Sequence, residues 1–354
     1  MRLAMLILGV AAVLTAQSTA SSSRCGWSTA RTIPPIAFPP AGWASVAAPS
    51  PSNVWAVGFE TNPLQYNLKA PVVMHWNGRK ATLLGTPLSW GNGLVSVAAL
   101  GREAWAVGAG GRRALTLHWQ GKKWVGVPNP GGAGSGLFGV AMVSRSDVWA
   151  VGNDRNGGIA LRWNGSKWAK APSPGFDGGL SAVAQIPGTA QVWVGGSDSS
   201  SETGISLARW TGSGWAKFAL PAKAGAQGYT LTGGSLAAAS ASSAWAALTF
   251  SNSVGRNRTD VVHWDGSTWS QAQTPDPSAA HDWLNGVAAR SDTDAWAVGG
   301  SGKPGKQAHA LVLHWDGSKW STVANPGSEL RAVAAAPGTR QVWVASAKLQ
   351  RYTC

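Results

Sequence analysis

The stretch Ala295-Trp296-Ala297-Val298-Gly299 and its copies decide the fold of this 354-residue chain. The phrase returns seven times, and its most constant member is the tryptophan, found at Trp55, Trp105, Trp149, Trp193, Trp245, Trp296 and Trp343. Neighbouring copies lie 44 to 52 residues apart. Strand-forming units of this length are too small to bury their own apolar face, and a ring of such units is a β-propeller.

Each copy contains four predicted strands, as the one around Trp296 illustrates. Apolar or alternating runs at 284–289, 295–299, 310–315 and 319–323 predict the strands, and Asn325-Pro326 ends the last of them. Six copies are complete and the chain ends share a seventh, so we predict an all-β, seven-bladed propeller of four-stranded antiparallel blades. The predicted blades cover about residues 42–87, 88–130, 131–174, 175–221, 222–275, 276–326, and 327–354 together with 25–35.

The third and fourth predicted strands are joined by a tight turn. Four copies carry a turn dipeptide at this place: Asn77-Gly78, Asn164-Gly165, Asp265-Gly266 and Asp316-Gly317. Such dipeptides favour two-residue hairpins because both central residues tolerate positive φ. We therefore predict that Trp315 pairs with Ser318 and Leu313 with Trp320. Side-chain alternation then puts Leu313, Trp315 and Trp320 on one face, which packs on the neighbouring blade.

The two chain ends are predicted to complete one blade. After Trp343 the chain stops at Cys354, where a turn and a fourth strand follow in the other copies. The segment at 25–32 resembles the fourth strand at 319–322, so we predict that it supplies the missing outer strand. Cys25 then lies beside Cys354, and because the chain has two cysteines in all, we predict a disulfide that closes the ring.

The first residues have the pattern of an export signal. An apolar run follows Arg2 and small residues surround Ala20, so residues 1–20 are predicted to be a signal peptide, with no transmembrane segment after its removal. Residues 21–354 then form a single propeller domain, secreted or held in the cell envelope. The net charge of +14 falls to +13 without Arg2, and a surface of this sign favours anionic partners.

The repeat resembles those of kelch-type propellers, which include the seven-bladed central domain of galactose oxidase. Val298-Gly299-Gly300 is similar to the glycine-ended second strand of that family, and Trp315 and Trp320 are similar to its aromatic pair. The likeness covers almost the whole mature chain, with Trp where Tyr is usual and a shorter gap between the aromatics. Galactose oxidase activity implies a copper site with His and Tyr ligands and a Tyr–Cys crosslink. This chain has three tyrosines, and its two cysteines are assigned to ring closure. These residues do not match that set, so no cofactor is expected.

Histidines at one repeat position are predicted to be structural rather than metal ligands. Each directly precedes a tryptophan, and Arg replaces His in two copies, the positions being His75, His118, Arg162, Arg209, His263 and His314. Residues that exchange with Arg and are spread round a ring do not converge on one ion. We expect no metal site, and we expect these side chains to form hydrogen bonds across a strand pair.

Loops between the second and third strands, and between blades, share one face of a propeller and carry most of the variation between copies. Basic residues predominate in the loops between the second and third strands. Aromatic residues that break the repeat occur in the loops between blades. Because Arg binds anions and exposed rings stack on sugars, we predict ligand binding through Trp90, Arg112, Arg113, Tyr229, Arg256, Arg258, Trp283, Lys303 and Lys306. The competing interpretation is that Trp90 and Trp283 cap the inner strands.

These observations favour an exported, monomeric binding module whose partner is an anionic polysaccharide or a cell-envelope glycan. One alternative is a glycoside hydrolase or lyase with its site at the channel mouth, for which Asp177, Asp276 and Asp282 are candidate carboxylates, although such loop aspartates are usually solvated turn residues. Another is a scaffold that binds protein partners. Nucleic acid is disfavoured, since basic charge alone is a poor guide in an exported protein.

Overall fold

The computed structural model of the protein describes residues 25–29, 42–61, 64, 69–89, 91–111, 113–221, 229–253, 257–275, 281–302, 306–324 and 326–354. For residues 229–233 and 258 it describes the backbone alone. The predicted signal peptide lies outside these ranges. Within them, no helix has the length and apolar character needed to cross a membrane.

The described residues form seven four-stranded antiparallel sheets, which confirms the predicted seven-bladed propeller. Six blades use four consecutive strands, and the seventh joins the first strand of the chain to the last three. In chain order the strands are β1 (Gly26–Thr29); β2 (Gly42–Ser50), β3 (Asn53–Thr61), β4 (Lys69–Trp76) and β5 (Ala81–Leu84) of blade 1; β6 (Asn92–Leu100), β7 (Glu103–Gly110), β8 (Arg113–Trp119) and β9 (Trp124–Gly126) of blade 2; β10 (Gly136–Ser144), β11 (Asp147–Asp154), β12 (Gly157–Trp163) and β13 (Trp168–Lys170) of blade 3; β14 (Leu180–Gln185), β15 (Val192–Ser197), β16 (Ile205–Trp210) and β17 (Trp215–Phe218) of blade 4; β18 (Tyr229–Ser240), β19 (Ser243–Asn252), β20 (Asn257–Trp264) and β21 (Trp269–Ala272) of blade 5; β22 (Asp282–Ser291), β23 (Asp294–Ser301), β24 (His309–Trp315) and β25 (Trp320–Thr322) of blade 6; and β26 (Ala332–Ala335), β27 (Val342–Ala345) and β28 (Leu349–Thr353), which with β1 make blade 7.

The alternation of strand direction gives the ring two different faces. In each blade the first strand lines the central channel and contacts the first strands of its neighbours. We call the face formed by the turns between strands one and two, and between strands three and four, the short-turn face. The opposite face, formed by the connections between strands two and three and between blades, is the variable-loop face. The inner strands begin at the variable-loop face and end at the short-turn face.

The turn between the third and fourth strands differs from its prediction. Trp315 pairs with Trp320 and Leu313 with Thr322, so four residues, 316–319, form the loop rather than two. The pairing is displaced by two residues from the predicted one. Because an even displacement keeps every side chain on its face, Leu313, Trp315 and Trp320 still share one face, and they pack together against blade 5.

The aspartate at the start of this loop explains the wider turn. Oδ1 of Asp316 accepts hydrogen bonds from the N–H groups of Ser318 at 2.9 Å and Lys319 at 3.0 Å, while Gly317 adopts a φ of +96°. Hydrogen bonds from the Ser318 hydroxyl and from these two N–H groups hold the pKa of Asp316 at about 2. The side chain thus closes the loop itself, as Asp and Asn often do in turns, and the two-residue prediction was wrong for that reason.

Aromatic clusters hold neighbouring blades together. In five of the seven interfaces the strand-two tryptophan of one blade contacts the strand-three and strand-four tryptophans of the next. Trp105, for example, lies 5.0 Å from Trp163 and 5.1 Å from Trp168 between ring centroids. A buried Trp removes roughly 150–250 Å² from water, so these clusters explain why the tryptophan is the most constant residue of the repeat.

The chain ends close the ring as predicted. β1 pairs antiparallel with β28 from Gly26 opposite Thr353 to Thr29 opposite Gln350, and Cys25 is bonded to Cys354. Trp27 takes the place of a strand-four tryptophan: its ring centroid is 5.0 Å from that of Tyr352, and its Nε1 donates to the carbonyl of Ala324 at 2.7 Å.

The repeated His and Arg residues lie on the strand-two tryptophans, and five of the six form the predicted hydrogen bond across a strand pair. His75 stacks on Trp55 at 4.1 Å, and its Nε2 lies 2.8 Å from Oδ1 of Asn53 across the strand pair. Burial lowers the pKa of His75, which favours a neutral, stacked ring. Arg162 lies over Trp149 at 5.0 Å in the same way. The side chains therefore shield the edge of the aromatic clusters from water.

Candidate functional site

Six inner strands carry a β-bulge close to the variable-loop face, where one extra residue stands opposite no single partner on the second strand. In β18 this residue is Thr232, of which the backbone alone is described, and in the other five strands it is Ala44, Val95, Phe138, Ser181 and Asn285. A bulge turns the side chain of its extra residue out of the regular alternation. The latter five residues all line the central channel as a result.

The channel contains a cavity of about 240 Å³, and among the described residues that line it one side chain is aromatic and one is cationic. Phe138 of blade 3 is 43% exposed, an unusual state for a residue inside a ring of sheets. Arg331, directly before β26 in blade 7, is the charged residue among those described in the lining. A Cβ at position 42 would lie 3.0 Å from Nη1 of Arg331, so Gly42 leaves room for the guanidinium.

Serine side chains fix the inner strands to one another around this cavity. Oγ of Ser45 accepts a hydrogen bond from the N–H of Val97 in the next blade at 3.2 Å. Two further blade pairs repeat this bond at 3.2 Å through serines at the corresponding position, Ser96 and Ser235. The wall of the cavity is thus tied together across blades, and a ligand would enter a preformed site.

A carboxylate stands at the rim of the channel on the variable-loop face. Oε1 of Glu329 accepts hydrogen bonds from Nε1 of Trp283 at 2.9 Å and from Nδ2 of Asn285 at 3.1 Å. Nδ2 of Asn285 also donates to the carbonyl of Leu330 at 2.8 Å, which fixes the amide. The other carboxylate oxygen has no partner among the described residues. Glu329 is therefore oriented by one oxygen and has the other free to accept a hydrogen bond.

Trp283 is the predicted site residue that the structure connects to the channel. Its indole donates to Glu329 and covers Gly300, where an added Cβ would lie 2.4 Å from Cζ2 of the ring. The ring is only partly exposed, so Trp283 orients the rim carboxylate while also covering the second strand of its blade.

The other predicted binding residues remain predictions. Arg113 at the start of β8 and Lys306 in the variable loop of blade 6 are exposed, on non-adjacent blades. The backbone alone is described for two of them, Tyr229 in β18 and Arg258 in β20, and four lie outside the described residues: Trp90, Arg112, Arg256 and Lys303.

The candidate carboxylates of a hydrolase belong to different places. Asp177, in the connection into blade 4, accepts a hydrogen bond from the N–H of Ser199 at 2.8 Å, and the hydroxyl and N–H of Ser199 together lower its pKa. Asp282 begins β22 in blade 6 and is buried, and Asp276 lies outside the described residues. Across the part of the chain that is described, no group of three or more His, Cys, Asp or Glu residues could hold a metal ion.

One buried carboxylate organises the variable loop of blade 4. Asp198 is fully buried, accepts hydrogen bonds from the hydroxyls of Ser200 at 2.6 Å and Ser206 at 2.5 Å, and forms an ion pair with Lys217. Burial alone would raise the pKa of Asp198, but the bonds from Lys217, Ser200 and Ser206 outweigh it and hold the pKa far below 3.8. We assign Asp198 a structural role because its oxygens are already engaged.

Phe138, Arg331 and Glu329 were not among the residues predicted from the sequence. A signal for the first two exists in the inner strands, where one variable residue stands between a large apolar residue and a small one: Leu94-Val95-Ser96, Leu137-Phe138-Gly139, Leu180-Ser181-Ala182, Leu284-Asn285-Gly286 and Leu330-Arg331-Ala332. The small residue faces the next blade, and the variable one faces the channel. Without knowledge of the bulge, alternation assigns the variable residue to the wrong face.

Comparisons with known proteins show the fold and no family. No family model matches the chain, and no curated protein matches it. Among solved structures it is similar to YCF48 from Cyanidioschyzon merolae, with a TM-score of 0.57, 14% identity, and coverage of 92% of this chain and 98% of that one. It is also similar to U3-55K, with a TM-score of 0.60, 11% identity, and coverage of 89% and 96%.

A third similar structure is the extracellular domain of BT4673 from B. thetaiotaomicron, described as part of a one-component system. The TM-score is 0.56 and the identity 9%, and the match covers 88% of this chain and 38% of that one. At these identities the likeness shows the propeller architecture alone. The resemblance to kelch-type propellers is therefore supported as a seven-bladed propeller and not as the kelch type in particular.

Proposed function

We propose that the protein is an extracytoplasmic binding module that recognises an acidic sugar residue of a glycan at the channel mouth on its variable-loop face. The observation that carries the proposal is the combination of an exposed Phe138 ring and an unpaired Arg331 guanidinium in one preformed cavity. An exposed apolar ring and an unneutralised charge in a channel wall stabilise neither the blade nor its neighbours, and both are suited to contact a ligand.

The three side chains provide complementary contacts to an acidic sugar. The ring of Phe138 offers an apolar face for the C–H face of a pyranose, and Arg331 offers parallel N–H donors to a carboxylate or sulfate. The free oxygen of Glu329 accepts a hydrogen bond from a sugar hydroxyl. The cavity of about 240 Å³ is below the roughly 300 Å³ at which sites for drug-sized ligands begin, so we expect one terminal or protruding sugar residue to enter.

Three features support a location outside the cytoplasm. The chain begins with a predicted signal peptide at 1–20, and its Cys25–Cys354 disulfide is of the kind that persists in oxidising compartments. One of the similar structures is an extracellular domain.

The hydrolase alternative receives less support from the cavity. Glycoside hydrolysis by the usual mechanism needs two carboxyl groups roughly 5 to 9.5 Å apart across the scissile bond. The described residues that line the cavity include Arg331 and no carboxylate, and Glu329 stands at the rim. We therefore favour binding over catalysis.

Calorimetric titration of the mature protein with acidic and neutral oligosaccharides tests the proposal. We expect uronate-containing oligosaccharides to bind and neutral ones to bind at least about tenfold more weakly, because a charge-assisted hydrogen bond contributes roughly 1.5–3 kcal/mol. Arg331→Gln should remove the preference for acidic sugars, and Phe138→Ala should weaken all binding.

Two matched variants serve as controls. Arg340→Gln removes an exposed Arg from the same blade on the opposite face, and Leu100→Ala removes a side chain that is 42% exposed, nearly the same as Phe138, also from the opposite face. Equal affinity for acidic and neutral sugars in the unmodified protein, or losses in the controls as large as in the channel variants, would contradict the proposal. Binding of a protein partner that oligosaccharides do not displace would support the scaffold alternative.

A further inference from the structure

Basic residues are concentrated on one part of the short-turn face, opposite the channel-mouth site. In blades 1 to 3, the turns of the short-turn face contain no acidic residue and seven basic ones. These are Arg79, Lys80, Arg102, Lys122, Lys123, Arg145 and Lys167. All seven are exposed. We call these residues the basic sector.

The rest of the short-turn face differs in charge. In blades 4 to 7 the turns carry three acidic and two basic residues, Asp265, Asp292, Asp316, Lys319 and Arg340. Because all blades have the same architecture, folding does not require this difference between the two parts of the ring. The concentration of charge is a property of these particular turns.

The basic sector is not neutralised from within the described protein. None of its side chains forms an ion pair with another described residue. The two carboxylates closest in sequence already have partners: Glu103 lies 2.7 Å from Nε2 of His118, and Asp147 accepts two hydrogen bonds from Arg162 at 2.7 and 2.8 Å. The field of the sector is therefore directed to solvent and favours an anionic partner.

The arrangement of the basic sector is two-dimensional. Arg102 and Arg145 lie on turns next to the channel-lining strands, whereas the other five residues lie on turns at the outer edge of the ring. Each turn has two or four residues, and side-chain caps fix two of the outer ones, as where Oδ1 of Asn77 accepts from the N–H of Lys80 at 2.9 Å. A linear polyanion is suited to a groove or a single stripe, whereas charges spread over a surface of short, rigid turns match a planar array of anionic groups.

An exposed apolar side chain accompanies these charges. Leu100 ends β6 next to the turn that carries Arg102 and is 42% exposed. A protein that lies on a bilayer combines basic side chains at the headgroups with apolar groups at the acyl boundary. Leu100 has the position and character for the second of these contacts.

We propose that the basic sector docks the protein on a membrane surface rich in anionic phospholipid. The short-turn face then lies against the bilayer, and the variable-loop face with the channel mouth points away from it. The partner is the array of lipid phosphates, contacted by Lys and Arg of blades 1 to 3, with Leu100 entering the interfacial zone. This inference is independent of the glycan proposal, since it concerns the opposite face.

Co-sedimentation with vesicles tests the proposal directly. We expect the mature protein to bind vesicles of phosphatidylcholine with 30% phosphatidylglycerol at low salt, to bind pure phosphatidylcholine much less, and to be released by 0.5 M salt. Each basic residue near an anionic surface contributes roughly a fivefold change in partition. Replacing Arg79, Lys80, Lys122 and Lys123 with Gln should therefore lower the partition coefficient by roughly several hundredfold.

The matched control removes the same charge from the variable-loop face. Arg113, Arg155, Lys306 and Lys348 are exposed there, and replacing these four with Gln should change vesicle binding by less than about fivefold. Equal losses in both fourfold variants would mean that net charge alone attracts the protein, which would overturn the docking face. Failure of the unmodified protein to bind anionic vesicles would overturn the proposal as a whole.

A fluorescent probe reports the orientation of the bound protein. A polarity-sensitive dye on Leu100→Cys should shift to the blue with anionic vesicles, and the same dye on Ala133→Cys, an exposed position on the variable-loop face, should not. A shift at position 133 without one at position 100 would refute the orientation. Capture of soluble polyphosphate by the basic sector, without binding to vesicles, would identify a soluble polyanion as the partner and overturn the membrane proposal.

Discussion

Removal of the ring-closing disulfide is the perturbation for which the structure predicts the largest effect. The double variant Cys25→Ser/Cys354→Ser keeps both strands of the closing pair but removes the covalent link between them. The bonded cysteines are separated by 329 residues. The loss of chain entropy in the unfolded state grows with the logarithm of this number, which gives a stabilisation of up to about 5–6 kcal/mol for a loop of this length.

Non-covalent contacts of β1 should keep it paired with β28 in the folded state when the disulfide is absent. Trp27 is half-buried against Tyr352 and donates to the carbonyl of Ala324. Half the area of a Trp side chain corresponds to about 2 kcal/mol of apolar burial. We expect this contribution to remain in the double Ser variant, so that β1 stays docked at neutral pH and the ring stays closed while its resistance to unfolding falls.

Urea unfolding, followed by circular dichroism and by tryptophan fluorescence, measures the effect. With a slope of about 3 kcal/mol/M, the predicted loss moves the midpoint down by up to roughly 2 M. Trp27→Ala in the oxidised protein should lower the midpoint by less than half of that amount. A midpoint of the double Ser variant within about 0.3 M of the parent protein would refute the entropic argument.

Two further predictions concern the core. Trp105→Ala removes a buried ring that contacts Trp163 and Trp168 of the next blade; it should cost about 3–5 kcal/mol in denaturant unfolding, and a loss below about 1 kcal/mol would show that the clusters do not stabilise the blade interfaces. Asp198→Asn weakens the contact with Lys217 and should cost about 2 kcal/mol at pH 7. Because the pKa of Asp198 is lower in the folded state than the ordinary 3.8, its stabilisation is complete above that value and is lost as pH falls through the folded pKa. Unfolding measured between pH 5 and pH 2 should therefore show a shallower acid decline in Asp198→Asn than in the parent, and equal declines would contradict the assignment.

The architecture was predictable because one residue type repeats for one physical reason. Trp105 and its six counterparts fill the same place between blades, so their spacing counts the blades directly. The closure at Cys25 and Cys354 was predictable too, since the last blade lacks a fourth strand and the segment around Trp27 resembles one in sequence. Both predictions rest on a local sequence pattern that occupies the same position in every blade.

The turn register could not be predicted from dipeptides alone. Asp316-Gly317 is compatible with a two-residue and a four-residue loop, and hydrogen bonds from Ser318 and Lys319 to the aspartate select the longer one. The assignment of faces survived because the two registers differ by an even number of residues. Leu313 and Trp320 therefore face the core in either register, because the face of a side chain changes only when the register is displaced by an odd number of residues.

The channel mouth shows the opposite situation. Loop residues such as Arg113 were proposed because they vary, whereas Phe138 varies within a strand that otherwise repeats. Its side chain reaches the channel because a bulge interrupts the alternation of β10. Arg331 and Glu329 come from the other end of the chain, and no local pattern indicates that they meet Phe138 at the channel.

The chain by itself determined the number of blades, the residues that pack between them, and the covalent link that closes the ring. All of these follow from a repeat whose units must bury the same apolar face. The tertiary structure alone decided which variable residues meet in the channel and which basic turns share a part of the short-turn face. Curvature of the ring brings residues from distant blades to a common axis or a common plane, and that neighbourhood depends on the closed ring rather than on any one repeat.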